Sequence, residues 1–427
     1  ALFGDGRSVD NGDQSPLVVF DAIGSLPAAG GVEIRDGVAI DPQWGVAEAG
    51  KKFDFEVLPA GTTFPVRVDL LVPDPEKIGE YRPSKAEKRS EAELLTDLAA
   101  ALDAFSAGET GFGARRTRGL GRVSAKWIAK RFDLSNREGW LEWIGSDHET
   151  PVSGEMIAIR EALQTAAPDE IGEIRELAED ARQRVVIDLN LRVVHDLLVR
   201  SPNAEATGPD VSHLRSGGVP VLPGTGLAGV MRSQATRIAR LIRNEAGDAD
   251  RWIDAVFGPR PKNAEAERNT SLRAARLRVG EARIDGSRKK EQTRVAIDRF
   301  TGGAADTALF EEAPEVRGGS NLRLELRNPA PGELGLVLLV LKDLLDGALP
   351  VGGTSSVGRG VLNGTAKLAF WEGNGEPAKT AALAPGQPPS GDAAEKIDRA
   401  IQEFHNPEAG PKSTEPSGAG TGKGGAS

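Results

Sequence analysis

"RVAIDRFTGGAADTALF" runs from Arg294 to Phe310, and "GVAIDPQWGVAEAGKKF" runs from Gly37 to Phe53. With Asp298 laid over Asp41, Phe310 falls on Phe53 and Gly318 on Gly61. Both stretches pass into alternating apolar runs, "FPVRVDLLV" (64–72) and "NLRLELR" (321–327). A period of two predicts a strand with one buried face. Each run precedes an apolar helical stretch, "ELLTDLAAALDAF" (93–105) and "LGLVLLVLKDLLDGAL" (334–349). Each helix leads to a Gly-rich turn, "GFGARRTRGLGRV" (111–123) and "GGTSSVGRGVL" (352–362), in which Gly113, Gly119 and Gly121 lie over Gly352, Gly358 and Gly360. Chance tetrapeptides do not bring the same downstream order with them. The chain therefore reads as two copies of one unit. The copies are 257 residues apart at the Asp and 239 at the turns, so copy one carries about 18 extra residues between these landmarks. The polar stretch at 75–93 is their natural place, as a solvated surface insertion.

Composition sets the outer bounds. The 427 residues are 39% hydrophobic and 27% charged, which suits a folded chain of two or three domains. Aromatics make up 5%, too few for a broad base-stacking platform. With no Cys, disulfides and thiolate metal sites are excluded, which fits a reducing compartment such as the cytoplasm. The four His are scattered, which argues against a His metal cage. No apolar run has the length of a membrane span, and the first residues lack a signal pattern. The net charge of −10 speaks weakly against nucleic acid, but binding follows where charges sit rather than their sum.

Copy two has the longer front. It is predicted to run as strand "RVVIDLNLRVV" (184–194), a loop (195–219), and "VPVLPGTGLAGVMRSQATRIARLIRN" (219–244), in which Pro223 and Gly224 end a strand and Thr225 caps a helix. "AVFG" (255–258) follows, and the chain opens on the matching "ALFG" (1–4). Copy one is therefore expected to lack the preceding strand, loop and helix, as in a chain truncated at its N-terminus. The expected division is a first domain over 1–150, a helical connector over 151–183, a second domain over 184–372, and a low-complexity, disordered tail over 373–427 with a short helical stretch at 392–404. "GTGKGG" in that tail lacks the spacing and flanking elements of a phosphate loop.

Three features carry chemistry. The Gly-rich turns let a ligand approach the backbone, whose N–H groups can hold phosphate oxygens. Around the first, Arg115, Arg116, Arg118, Arg122, Lys126, Lys130 and Arg131 form a basic patch with no acidic residue between Glu109 and Asp133. This reads as a phosphate site or as a basic surface hairpin. The second turn offers Gly353, Thr354, Ser355, Ser356 and Arg359. The helix after Pro223–Gly224 could present its N-terminal amides and Arg232 to an anion, or could be a solvated face. The loop at 195–219 holds Asp210, His213 and Arg215. Asp210 could orient a ribose hydroxyl or hold a cation, but an Asp in "GPD" is also an ordinary turn residue.

"VPVLPGTGLAGVMR", "VFG", "TRVAIDRFTGGAADTALFEEAPEVRGG" and "GGTSSVGRG", in this order, resemble the RAMP superfamily, and most closely the backbone subunits of type III CRISPR effector complexes. The match covers nearly all of 184–372, and copy one follows more loosely from "LFG" onward. The resemblance implies an α+β fold: two modified RNA-recognition domains of ferredoxin-like βαββαβ type, with thumb-like β-hairpin insertions at 38–62 and 295–319. It implies a protein that holds guide RNA alongside other CRISPR effector subunits or flanking domains. The implied RNA contacts are Gly113, Arg115, Arg116, Arg118, Gly119, Gly121 and Arg122 in copy one. In copy two they are Gly224, Thr225, Arg232, Arg299, Thr301, Gly353, Thr354, Ser355, Ser356 and Arg359. It further implies cleavage of bound target RNA by Asp210 with Mg²⁺ or another divalent cation. Ala228 stands where the family often carries Lys, and Val211–Ser212 where it often carries Pro. The copy-one counterpart of Asp210 would fall in the part this chain lacks. Two alternatives stay open: a catalytically inert backbone subunit, and a guide-processing endoribonuclease of the same superfamily.

Overall fold

The structure is a computed structural model of the chain, in which residues 2–3, 15–28, 31–41, 46–72, 90–147, 152–167, 182–202, 208–242, 246–260, 273–373 and 378–406 are described. The insertion expected at 75–93 and the extreme tail after 406 fall largely or wholly outside them.

Among the described residues, copy one has β1 (Leu17–Val19), then the hairpin of β2 (Glu33–Ile40) and β3 (Ala47–Val57), then β4 (Val68–Leu70), which pairs antiparallel with β1. Next comes α1 (Glu91–Ser106), opened by a capping box in which Ser90 and Glu93 satisfy each other's backbone amides. Two helices follow, α2 (Arg137–Gly145) and α3 (Ile159–Ala166). Leu95, Leu98, Ala99 and Leu102 of α1 pack on Ile159 and Leu163 of α3 to form a small core.

Copy two holds the larger core. β5 (Arg184–Val193) buries every second residue from Val185 to Val193, as its sequence pattern predicts. The expected loop at 195–219 is instead ladder-forming: β6 (Arg200–Pro202), β7 (Val211–His213) and the start of β8 (Val219–Leu222) lie in it. Its backbone groups pair with the hairpin and with the strands beside it, and such short polar strands leave no alternating apolar signal to read. Helix α4 (Gly224–Ile242) begins at Gly224, so Thr225 stands in its first turn and not at a capping position ahead of it. After α5 (Ala246–Phe257) come β9 (Leu277–Val279), a second hairpin of β10 (Gln292–Ile297) and β11 (Ala304–Ala313), and β12 (Gly319–Arg327). Then follow α6 (Glu333–Leu345), β13 (Leu362–Trp371), β14 (Lys379–Leu383) and α7 (Ala394–His405).

The main sheet has the order β9–β12–β5–β13–β14, every pair antiparallel. Its first four strands, with α4 and α6 as crossovers, make the ferredoxin-like βαββαβ unit. The helices cover one sheet face, where Ile187, Leu324 and Leu368 meet Met231, Leu341 and Trp252. The opposite face is polar, carrying Asn190, Asn321, Arg323 and Lys367.

The tail differs from expectation. Residues 379–405 are part of the second domain: β14 extends the sheet, and Ile397, Ala400 and Phe404 of α7 are buried in the main core. Trp252 meets Phe404 edge to face, with centroids 5.1 Å apart. Ile397, Ala400 and Ile401 repeat the i, i+3, i+4 spacing of Ile159, Ala162 and Leu163, and both triplets seat a late helix on the helix that follows the hairpin. The first part of the connector is thus copy one's counterpart of α7. Its stretch at 168–181 lies outside the described residues.

Candidate RNA interface

The two hairpins are superimposable in register. Val38 pairs with Lys52 and Ile40 with Ala47; Val295 pairs with Leu309 and Ile297 with Ala304, and a β-bulge follows the first pair in each. The Asp41 amide donates to the Val46 carbonyl (2.8 Å), and the Asp298 amide to the Gly303 carbonyl (2.9 Å). At the tip of the second hairpin, Asp298 Oδ1 accepts from the amides of Phe300 (2.9 Å) and Thr301 (2.7 Å). These bonds, led by the Thr301 amide, hold the Asp298 carboxyl below its usual pKa. The resulting rigid tip exposes Arg299 and Thr301, and Phe300 is 99% exposed. Phe300 was not among the residues expected to meet RNA, although an aromatic in "DRFTGG" is the signal for it.

The two Gly-rich turns also share one backbone shape. Each wraps a single 3-10 turn, Arg116–Arg118 or Ser355–Val357. The residue before it is left-handed in both, Arg115 and Thr354 each having φ of 58°. Gly121 (70°) and Gly360 (79°) close the turns, and a side chain on either would land on the carbonyl of Phe112 or Val351 across the turn. Glycine at these two positions is therefore required by the turn itself.

The copy-one turn is docked against copy two. The position of a Cβ on Gly224 lies 2.5 Å from the Arg118 carbonyl, and one on Gly119 would collide with the Glu281 amide. The start of α4 is thus closed by protein backbone, by the Arg118 carbonyl of copy one and by the Val279 and Gly280 carbonyls of copy two, and the smallness of Gly224 serves all three contacts. Beside it, Arg35 of the first hairpin, 5% exposed, is ion-paired to Glu281, while Glu33 accepts from the Gly217 amide at 2.8 Å.

Docking gathers cations from both copies along the seam. Arg115 lies over the rings of Phe53 (5.0 Å) and Phe55 (4.1 Å). Partial desolvation, with Arg115, Arg260 and Arg232 nearby, pushes the Arg118 pKa down, although Arg118 keeps solvent access. Its side chain makes no hydrogen bond or ion pair among the described residues. Arg232 is half-buried and donates to the Gly258 carbonyl (2.6 Å) and to Asp254 (2.9 Å). Arg116 and Arg122 are exposed. Two members of the expected patch are engaged elsewhere: Lys130 pairs with Glu142 (2.8 Å) and Arg131 with Glu91 (3.3 Å).

In the copy-two turn, Ser355 and Ser356 are exposed, and Gly353 and Thr354 half-buried. Arg359 points inward. It donates to Glu312 (2.6 Å), Gln292 (2.6 Å) and Thr354 (3.3 Å), and is 5% exposed.

Asp210 is exposed at the start of β7, and its Oδ2 accepts from the Glu311 amide at 2.9 Å. The next residue, Val211, is in parallel register with Glu312 of β11. His213 is spoken for: Nδ1 accepts from the Val199 amide (3.1 Å), which leaves the proton on Nε2 to bond the Val221 carbonyl (2.9 Å). Among the described residues no group of three or more His, Asp or Glu side chains is placed to hold a metal. No helix among them is long and apolar enough to cross a membrane.

The model of one family, the RAMP superfamily, matches residues 1–124 and 190–363, well over half of the chain and in two blocks that correspond to the two copies. The chain belongs to the RAMP superfamily. As a RAMP protein it is a CRISPR-associated RNA-binding protein, and the paired hairpins and Gly-rich turns are repeated features of its two RAMP units. No individual curated protein matches it.

Proposed function

We propose that this RAMP protein is a guide-RNA-binding backbone component of a type III CRISPR effector, and that it cleaves complementary target RNA through Asp210. The observation that carries the guide-binding reading is the seam. Arg115 and Arg118 of copy one and Arg232 and Arg260 of copy two form one positive cluster, with exposed Arg116 and Arg122 beside it. Converging guanidiniums with solvent access suit a phosphate backbone, which they bind by charge and bidentate hydrogen bonds without reading sequence. The exposed hydroxyls of Ser355 and Ser356 extend the track to the second turn. The two hairpins act as thumbs against the guide–target duplex, the second presenting Phe300 with Arg299 and Thr301.

The cleavage reading rests on Asp210. One carboxylate oxygen is held by the Glu311 amide, and Oδ1 makes no bond among the described residues. That leaves Oδ1 to orient a ribose hydroxyl of bound target. Magnesium is commonly bound through one or two carboxylates plus substrate phosphates, so Asp210 with RNA phosphate oxygens is a fitting donor set. Such a cation would neutralise charge at the scissile phosphate. A catalytically inert backbone role is the second reading, favoured by the absence, among the described residues, of any group of three or more His, Asp or Glu side chains placed to hold a metal. Guide processing with His213 as the acid–base group is disfavoured, because both of its ring nitrogens are committed to backbone groups.

The deciding experiment incubates the guide-loaded protein with labelled complementary RNA, with and without Mg²⁺. Asp210→Ala is expected to abolish one cut and to leave guide affinity intact. If every cut persists, the catalytic reading fails and the inert one stands.

A further inference from the structure

Glu312 is 2% exposed, yet it gathers cations from three separate elements. Arg359 reaches it from the second Gly-rich turn at 2.6 Å, Arg294 from β10 at 3.3 Å, and Arg200 from β6 at 3.7 Å. Burial pushes its carboxyl pKa up, but Arg359 and Arg294 outweigh that and hold it below the usual value, so it stays charged at neutral pH. The Glu312 backbone is at the same time the register partner of Val211, and the amide of Glu311 holds the Asp210 carboxylate. One buried side chain thus ties the Gly-rich turn to the two-residue strand contact that places Asp210.

The turn does not need this strut for its own shape. In copy one the equivalent positions are Leu120 for Arg359 and Phe55 for Glu312, yet the two turns agree in every left-handed position. Arg115 stacks on Phe55 there, and no ion pair is involved. The charged strut is therefore peculiar to the copy that carries Asp210. We propose that Glu312 is a positioning residue for target cleavage, transmitting the seating of the Gly-rich turn through Arg359 to the loop that holds Asp210. The proposal rests on the reading of Asp210 as the cleaving group. Charge-assisted bonds from a planar guanidinium fix direction as well as distance, and small displacements of a reacting group cost large factors in rate.

The test uses the guide-loaded full chain and labelled target in Mg²⁺, comparing wild type, Asp210→Ala, Glu312→Gln, Arg359→Gln and the Glu312→Gln/Arg359→Gln double variant. Glu312→Gln is expected to lower the cleavage rate constant at saturating target by about 10- to 100-fold. Guide affinity and the half-saturating target concentration are expected to stay within about twofold, since ground-state binding is untouched. The double variant is expected to be no slower than the slower single variant, as two ends of one strut. Wild-type cleavage by Glu312→Gln beside an inactive Asp210→Ala would overturn the proposal while leaving Asp210 in its role. So would weakened guide binding with an unchanged rate in the guide-bound fraction, the mark of a merely structural residue. Should Glu312→Gln fail to fold, Arg359→Gln removes the strut from its other end, and a wild-type rate in its guide-bound fraction overturns the proposal equally. If Asp210→Ala keeps every cut, the functional reading itself has failed, and the positioning role falls with it.

Discussion

The carbonyl oxygen of Arg118 lies 2.5 Å from the point where a side chain on Gly224 would begin. Backbone of the first repeat meets the start of a helix in the second, with no room between them. Gly224→Ala forces the two apart or moves α4. A destabilisation of about 1–3 kcal/mol is expected from such overpacking, read as a lower denaturant midpoint. Because the same contact assembles the arginine seam, guide affinity should fall as well. An unchanged midpoint would mean that the junction opens without cost.

Replacing Arg116, Arg118 and Arg122 with Ala removes three solvent-accessible cations from the seam. Each phosphate contact to a single strand contributes about 0.7 to the slope of log affinity against log salt, so the slope should shrink by about 2. Binding titrations with unrelated guide sequences at several salt concentrations measure this. The loss should be the same for all sequences, since phosphate contacts carry no base information. A slope equal to that of wild type would make these residues ordinary surface charges.

His213 makes stability depend on pH. Burial, the largest effect, lowers its pKa below the ordinary 6.5, so the unfolded chain takes up this proton before the folded one does. Its contribution is full above pH 6.5 and is lost as pH falls from there toward the depressed folded value. Unfolding midpoints should therefore drop between pH 7 and pH 5. In His213→Gln that part of the dependence should be missing, and an identical pH profile in the variant would contradict the assignment.

Phe404 tests the boundary of the second domain. It is fully buried against Trp252, although it follows a Pro-, Gly- and Ala-rich stretch that resembles a tail. Phe404→Ala should cost about 3–5 kcal/mol, the usual range for deleting a buried aromatic. Equilibrium unfolding measures it, and a cost near zero would mean that α7 does not belong to the core.

Much of this architecture could be read from residue order alone. The offset of 257 residues predicted two copies of one unit, and the resemblance implied a hairpin in each at 38–62 and 295–319; the hairpins run over 33–57 and 292–313, and their pairing register and bulge repeat at that offset. The offset of 239 predicted equivalent turns, and the left-handed positions agree down to Arg115 and Thr354. The alternation in Arg184–Val193 marked the central strand of the main sheet. The helical stretch expected at 392–404 forms α7, but its place in the core was not legible, because low-complexity neighbours made the whole stretch read as a tail.

The roles of individual cations were not legible in the same way. Arg118 and Arg359 are both arginines in Gly-rich turns, and sequence treats them alike. In the fold, Arg118 keeps solvent access beside other positive groups, while Arg359 is sealed against Glu312. Local conformation follows from the chain itself, because glycine, β-bulges and alternating apolar residues act through sterics and burial over a few neighbours. Which charges remain open to a ligand depends on partners brought from more than a hundred residues away, as Arg118 is brought to Gly224, or from the hairpin of the same copy, as Glu312 is brought to Arg359. Only the tertiary structure decides that, since an ion pair exists only where folding has placed both of its members.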